Sequence, residues 1–313
     1  MKKLTALCCV LCTLCLLTGA LAAPGDAYLF TDDQREELGI TEYNTPTMAA
    51  VGDTVYTLWG TTIFAWQTGT DTPVPVASDL AYDKYSTYED AQKLLGDDAE
   101  KVITLLLSNN ETLYSLNALN GYLYPLTFAD GQAAFGTPIT LDWDAIEDIQ
   151  NDNDYMSIVN ACIAGNALYL LVRTDNDYDN PSLMVFDLAS GGEETLDVSH
   201  VQDITPYVDG KLLLEIYDME NTYDAETEQT LNPTLSVYDP ADSSVTQAGT
   251  FGSSNLSGIA YYAENDTLYY ATNSLLMAMP SLGEATQVAY IPVDYTSDVP
   301  ACVLPGGLYA IDM

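Results

Sequence analysis

Short apolar stretches alternate with Gly, Asn, Asp and Pro along most of this chain, and the stretches come in sets. A turn followed by a pair of apolar residues, usually ending in tyrosine, recurs six times: Gly52-Asp53-Thr54-Val55-Tyr56, Asn110-Glu111-Thr112-Leu113-Tyr114, Gly165-Asn166-Ala167-Leu168-Tyr169, Asp209-Gly210-Lys211-Leu212-Leu213, Asn265-Asp266-Thr267-Leu268-Tyr269 and Pro305-Gly306-Gly307-Leu308-Tyr309. The last positions fall at 56, 114, 169, 213, 269 and 309, so the steps are 58, 55, 44, 56 and 40 residues. Such steps match repeat units of roughly 40–50 residues carrying insertions.

Each copy has the same neighbours. Before the turn lies an apolar run, as in Val102 to Leu107, Ile158 to Ile163 and Ile259 to Tyr262. After the tyrosine strand come Ile63 to Trp66, Leu123-Tyr124, Leu183 to Phe186, Leu235 to Tyr238 and Leu275 to Met277. A fourth set follows, with Val74 to Val76, Thr195 to Val198, Val245 to Gln247 and Gln287 to Ile291. Segments this short, rich in β-branched and aromatic residues and bounded by turn formers, predict strands joined by hairpins. Four strands per repeat predict a propeller blade. One four-stranded sheet cannot cover both its faces, so each needs a neighbour on either side. Tyrosine, with 23 copies, suits that interface because its ring is apolar and its hydroxyl reaches the wet edge.

The expected fold is therefore all-β, a β-propeller of about six four-stranded blades over residues 47–313, with the last blade incomplete and short helical insertions. The sequence ends at Ile311-Asp312-Met313, inside the second strand of the sixth repeat. That ending suggests a longer parent or an open strand edge. The motif Gly-x-Leu-Tyr, followed by an apolar strand ending in Asp and a Gly-containing turn, is best seen in Val185-Phe186-Asp187-Leu188-Ala189-Ser190-Gly191-Gly192. It resembles the repeats of bacterial secreted propellers of the quinoprotein-like and related types. The resemblance implies the architecture and no functional residue. The tryptophan with which quinoprotein repeats lock blades together is absent.

Two helices are predicted outside the strands. Thr31-Asp32-Asp33-Gln34 forms a capping box ahead of Arg35 to Leu38 and Gly39, within an N-terminal segment of residues 23–46. Tyr88 to Leu95 is the second, in an insertion carrying Lys84, Lys93 and Lys101. That insertion is expected to dock on the body of the protein. At the start of the chain, Lys2-Lys3 precedes the apolar run Leu4 to Leu17, and Ala20-Leu21-Ala22 supplies small residues before a cut after Ala22. This is the layout of a signal peptide over residues 1–22, and it predicts a secreted, extracytoplasmic protein without stable membrane insertion after signal removal.

Charge narrows the partners. Lys and Arg number 8 against 46 acids, a formal charge of −38. A phosphate backbone would be repelled, so no nucleic-acid partner is expected. Cationic partners, calcium and neutral glycans fit. The loops between second and third strands are short in repeats one, two and five. They are long and acidic in repeat three (Thr174 to Pro181) and repeat four (Asp218 to Glu228). Equivalent loops of consecutive blades emerge side by side, so the two predict one rim, with Asp218, Glu220, Asp224, Glu226 and Glu228 as its carboxylates. Asp175, Asp177 and Asp179 have the alternate spacing of a calcium loop. However, Asn180 and Phe186 stand where that loop needs its Gly and its bidentate Glu.

Catalytic chemistry finds little purchase. His200 is the sole histidine and no nucleophile motif points to it. Zinc and phosphate-loop constellations are absent. The sequence reading is a non-catalytic binding or scaffold module for a protein, peptide or glycan. The alternatives are a carbohydrate-active hydrolase with channel-mouth carboxylates, or an accessory or sensor part of an envelope-bound uptake system. Beyond the leader, Cys162 and Cys302 each lie seven residues before the motif tyrosine of their repeat. On first strands so far apart around a ring they are expected to be two buried, unpaired thiols.

Overall fold

The computed structural model describes residues 47–67, 73–77, 88–109, 111–153, 155–219, 222–224, 229–253, 256–272, 275–290, 301–304 and 307–310. The expected signal peptide, its cleavage site and the expected N-terminal helix lie outside the described residues.

Four antiparallel strands form each of five blades. Blade one is β1 (Thr47–Val51), β2 (Thr54–Trp59), β3 (Thr62–Gln67) and β4 (Val74–Ala77). Helix α1 (Tyr88–Leu95) follows, over the residues predicted for it. Blade two is β5 (Leu105–Ser108), β6 (Leu113–Asn117), β7 (Tyr122–Ala129) and β8 (Gln132–Phe135), with β9 (Ile139–Thr140) also pairing β7. Helix α2 (Asp144–Asp152) leads to blade three: β10 (Met156–Ala164), β11 (Ala167–Thr174), β12 (Ser182–Asp187) and β13 (Glu193–Leu196). Blade four is β14 (Val201–Pro206), β15 (Leu212–Ile216), β18 (Thr234–Asp239) and β19 (Ser244–Thr250). A two-residue ladder, β16 (Tyr223–Asp224) with β17 (Gln229–Thr230), sits in its long second loop. Blade five is β20 (Leu256–Tyr262), β21 (Thr267–Thr272), β22 (Leu275–Pro280) and β23 (Thr286–Tyr290).

The expected count of about six blades is corrected to five. The sixth copy of the turn motif belongs to a two-stranded sheet, β24 (Ala301–Leu304) with β25 (Gly307–Ala310). Among the described residues no third or fourth strand widens this sheet, and such a hairpin is marginal alone. It is held by position: β24 lies beside both β20 and β1. The first strands β1, β5, β10, β14 and β20 follow one another side by side around the centre.

The core is divided among the seams between blades. One cluster joins Ala49, Leu58 and Ile63 of blade one to Leu106, Leu113 and Leu126 of blade two. The next joins Leu116 and Leu123 to Leu168, Leu170 and Phe186. A third joins Tyr169, Leu171 and Leu183 to Ile204, Leu212 and Leu214, and a fourth joins Leu213 and Leu235 to Leu268, Tyr270 and Met279. Strand alternation explains this division. In β11, Leu168 and Leu170 face blade two while Tyr169 and Leu171 face blade four. In blades three and four the second strand is therefore buried on both faces and reads as a nearly unbroken apolar run. The motif tyrosines pack forward onto the following blade: Tyr56 stacks on Phe128 at 5.3 Å, and Tyr169 meets Tyr238 edge-on at 6.3 Å.

The insertion after blade one does dock, but not through Lys93 or Lys101; Lys84 lies outside the described residues. Ala91 of α1 and Ala99 just beyond it are fully buried in the seam of blades one and two. Lys93 pairs with Asp90 and Lys101 with Asp98, each at 3.0 Å within the insertion. Helix α2 was not anticipated. Trp143, just before it, stacks on Phe186 at 5.4 Å and donates its indole N–H to Ala118 O at 3.2 Å. The turn after β12 is pinned where this connection passes. Gly191 has φ +77°, and a Cβ there would stand 2.2 Å from the Thr140 carbonyl oxygen.

Candidate functional site

The first strands of blades three, four and five each contain a β-bulge, with Val159, Gln202 and Gly258 as the extra residues. A bulge breaks the ladder locally and re-aims neighbouring side chains. In blade four the consequences run both ways along the strand.

Toward the ring's centre, Asp203 follows the bulge and bonds to both neighbouring first strands. Its Oδ1 accepts from Asn160 Nδ2 of β10 and from the Ile204 amide at 2.8 Å, and its Oδ2 accepts from the Ile259 amide of β20 at 2.9 Å. Asn160 also donates to Ile204 O at 2.9 Å. One carboxylate thus ties three adjacent blades.

Toward the face that carries the long loops, Gln202 becomes the hub of the junction between blades three and four. Its Nε2 lies 3.1 Å from Asp179 O, 3.3 Å from Tyr217 O and 3.5 Å from His200 O. Its Oε1 accepts from Arg173 Nη2 at 3.2 Å. The Arg173 guanidinium lies over the Tyr178 ring at 4.9 Å. His200 has φ +60°, a left-handed conformation uncommon for a residue other than Gly. It is held there because its amide donates to Asn180 Oδ1 at 2.5 Å and its carbonyl accepts from the Tyr217 amide at 2.9 Å. Its Nε2 lies 3.9 Å from Asp218 Oδ2. Strained residues that the surroundings over-determine cluster at functional sites.

The predicted loops are therefore both present, and the second loop of blade three packs against the base of that of blade four through Gln202 and His200. Tyr155 and Tyr178 stand on this face 49% and 55% exposed. Met219 and Leu231 of the blade-four loop are also exposed. Of the anticipated rim carboxylates, Asp218 lies beside His200 at this junction. Asp224 lies on the short ladder β16, and Glu220, Glu226 and Glu228 lie outside the described residues. Asp175, Asp177 and Asp179 lie in the β11–β12 loop, where Asp175 Oδ1 is 3.5 Å from the Tyr155 amide and the Asp177 amide donates to Thr174 Oγ1 at 3.2 Å. Among the described residues, no three His, Cys, Asp or Glu side chains are arranged to hold a metal ion. Arg173, Tyr178 and Gln202 were missed as site residues. Tyr178 lies inside the long loop of blade three, Arg173 near the end of the strand before it, and Gln202 at the bulge of β14.

Elsewhere the carboxylates serve turns. Asp187 is held below the ordinary carboxylate range by the Ser190 hydroxyl and amide, and Asp239 by the Lys211 ammonium and the Ala241 amide. Both end a third strand, the position quoted above in the repeat motif. Cys162 is a buried free thiol, and burial pushes its pKa far up. Cys302 occupies the same register, opposite Tyr309 as Cys162 is opposite Tyr169. Its side chain lies outside the described residues.

No known protein family and no curated protein matches the sequence. Among solved structures, the chain is similar to the Kuenenia stuttgartiensis hydrazine synthase, at 14% identity over 87% of this chain and 94% of that one, with a TM-score of 0.49. A chain of the nidogen/laminin complex gives 11%, 86%, 85% and 0.47, and the Dos1 propeller 10%, 90%, 68% and 0.45 in the same order. At these values the likenesses carry no functional argument. The propeller assignment rests on the order of strands and seams described above. No helix among the described residues is long and apolar enough to cross a membrane.

Proposed function

We propose that this chain is a secreted, non-catalytic binding module whose ligand docks at the junction of blades three and four around Gln202. The observation that carries the reading is the convergence on Gln202: three backbone carbonyls and one guanidinium meet at one side chain, with Asp179 from the long loop of blade three and Tyr217 from the residue just before that of blade four. A rigid scaffold that positions loops is the usual way a β fold presents a binding surface. Half-exposed tyrosines beside it supply flat contact area at low entropic cost. Acidic loops suit cationic or hydroxyl-rich partners, and at physiological salt they act only within about 8 Å.

The alternative of a carbohydrate hydrolase needs a paired acid and base. The carboxyl groups of Asp187, Asp239 and Asp266 are all shifted downward, which favours anions at turns over a retained proton. The reading is tested by screening residues 23–313 against glycan and peptide arrays, alongside a Tyr155→Ala/Tyr178→Ala variant. A ligand whose binding the double variant abolishes supports it. Absence of any bound ligand together with glycoside hydrolysis replaces it with the hydrolase.

A further inference from the structure

Each described lysine is paired with a carboxylate: Lys93 with Asp90, Lys101 with Asp98, Lys211 with Asp239, at 2.7–3.0 Å. In a chain of net charge −38 this is what an excess of acids produces. Arg173 is the exception. Its partners are the Gln202 amide oxygen and the Tyr178 ring, both neutral, and no carboxylate among the described residues lies within ion-pair distance. Its Nε is buried without a hydrogen-bond acceptor, and so is Nδ1 of His200, on the other side of Gln202. Buried polar atoms in native proteins are nearly always satisfied, so two orphaned nitrogens flanking Gln202 call for an explanation.

Resting on the reading of this junction as the binding site, we propose that Arg173 receives a carboxylate of the ligand, and that the ligand is a basic amino acid with a free α-carboxylate, alone or at the end of a peptide. A guanidinium fork matches a carboxylate in two parallel hydrogen bonds, which a lysine cannot reproduce. Stacking on Tyr178 holds the guanidinium plane, and the Gln202 bond fixes its rotation, so little freedom is lost on binding. The acid-rich surroundings select the rest of the ligand. Asp175, Asp177 and Asp179 lie on the same loop as Tyr178. A purely anionic ligand would be opposed by them, whereas a cation a few ångströms from the carboxylate turns that opposition into attraction.

The test is calorimetric titration with three probes: an acetylated tetrapeptide ending in lysine with a free carboxylate, the same peptide as its C-terminal amide, and free lysine. The acid peptide binds, and the amide binds at least about tenfold more weakly, in line with loss of a charge-assisted pair. Arg173→Gln lowers the acid peptide to the level of the amide and leaves the amide unchanged, while Arg173→Lys recovers part of the difference. Free lysine equal to the acid peptide assigns the site to amino acids, and free lysine tenfold weaker assigns it to peptide ends. A thermal melt confirms that each variant is folded, and Tyr178→Ala, which leaves the guanidinium in place, gives a second, smaller loss. Equal binding of acid and amide, an Arg173→Gln variant that binds the acid peptide as the wild type does, or no binding at millimolar peptide overturns the inference. If those results come while the array screen still selects a ligand sensitive to Tyr155→Ala/Tyr178→Ala, this assignment falls and the binding site stands.

Discussion

Replacing Asp203 by alanine removes the carboxylate that ties the first strands of blades three, four and five. Three bonds go with it: those from Asn160 Nδ2, from the Ile204 amide and from the Ile259 amide. Hydrogen bonds to a charged group each contribute about 1.5–3 kcal/mol. Asp203 is half-buried, so water replaces part of that loss, and Asn160 keeps its bond to Ile204 O. The expected cost is about 2–4 kcal/mol. For a domain of this size each kcal/mol moves the midpoint by about 2 °C, so the melting temperature should fall by about 4–8 °C. Asp203→Asn, which retains one acceptor, should lose roughly half as much. Thermal unfolding followed by circular dichroism reads the shift, with the exposed Glu194→Ala as the control at under about 0.5 kcal/mol. A melting temperature for Asp203→Ala within 1 °C of the wild type would refute the stitch as a stabilising element.

The seam model makes Tyr169, 1% exposed between blades three and four, cost about 3–5 kcal/mol on truncation to alanine, while Tyr155→Ala on the open face stays within about 0.5 kcal/mol by urea titration. Gly191→Ala combines the left-handed cost of about 1–2 kcal/mol with a backbone clash at Thr140, so it should destabilise more than Gly52→Ala, whose Cβ meets nothing within 4 Å. Cys162 should resist iodoacetamide in the native protein and label fully in denaturant, read by peptide mass mapping, because burial raises its pKa and hides the sulfur. Asp187 and Asp239 have folded pKa values below their unfolded ones. Their contribution is therefore present above about pH 4 and lost as pH falls through the folded values. The melting temperature should decline below that pH, and Asp187→Asn should flatten the decline.

Strands were the legible part of this sequence because each is short, β-branched and fenced by turn residues. Val74 to Val76 and Val245 to Gln247 fall inside observed strands, and helix α1 was readable from one amphipathic stretch. The blade count was not readable from the turn motif, because a motif marks one hairpin and cannot report whether two more strands follow. Helix α2 escaped because Trp143 to Asp152 offers few apolar positions, and its fixing contact, Trp143 on Phe186, is 43 residues distant in sequence. The long loops themselves were legible, since length and acidity are local properties. Arg173 and Gln202 did not stand out. One ends an apolar strand and the other is a bulge residue, and their convergence exists only once two blades lean together.

Hydrogen–deuterium exchange with and without the ligand that the array screen selects tests the binding site most directly. Slower exchange in residues 173–181 and 198–219, with the turns of the opposite face at 52–53, 165–166 and 209–210 unchanged, is the predicted pattern. Protection confined to those turns, or to the outer strand β19, would contradict it.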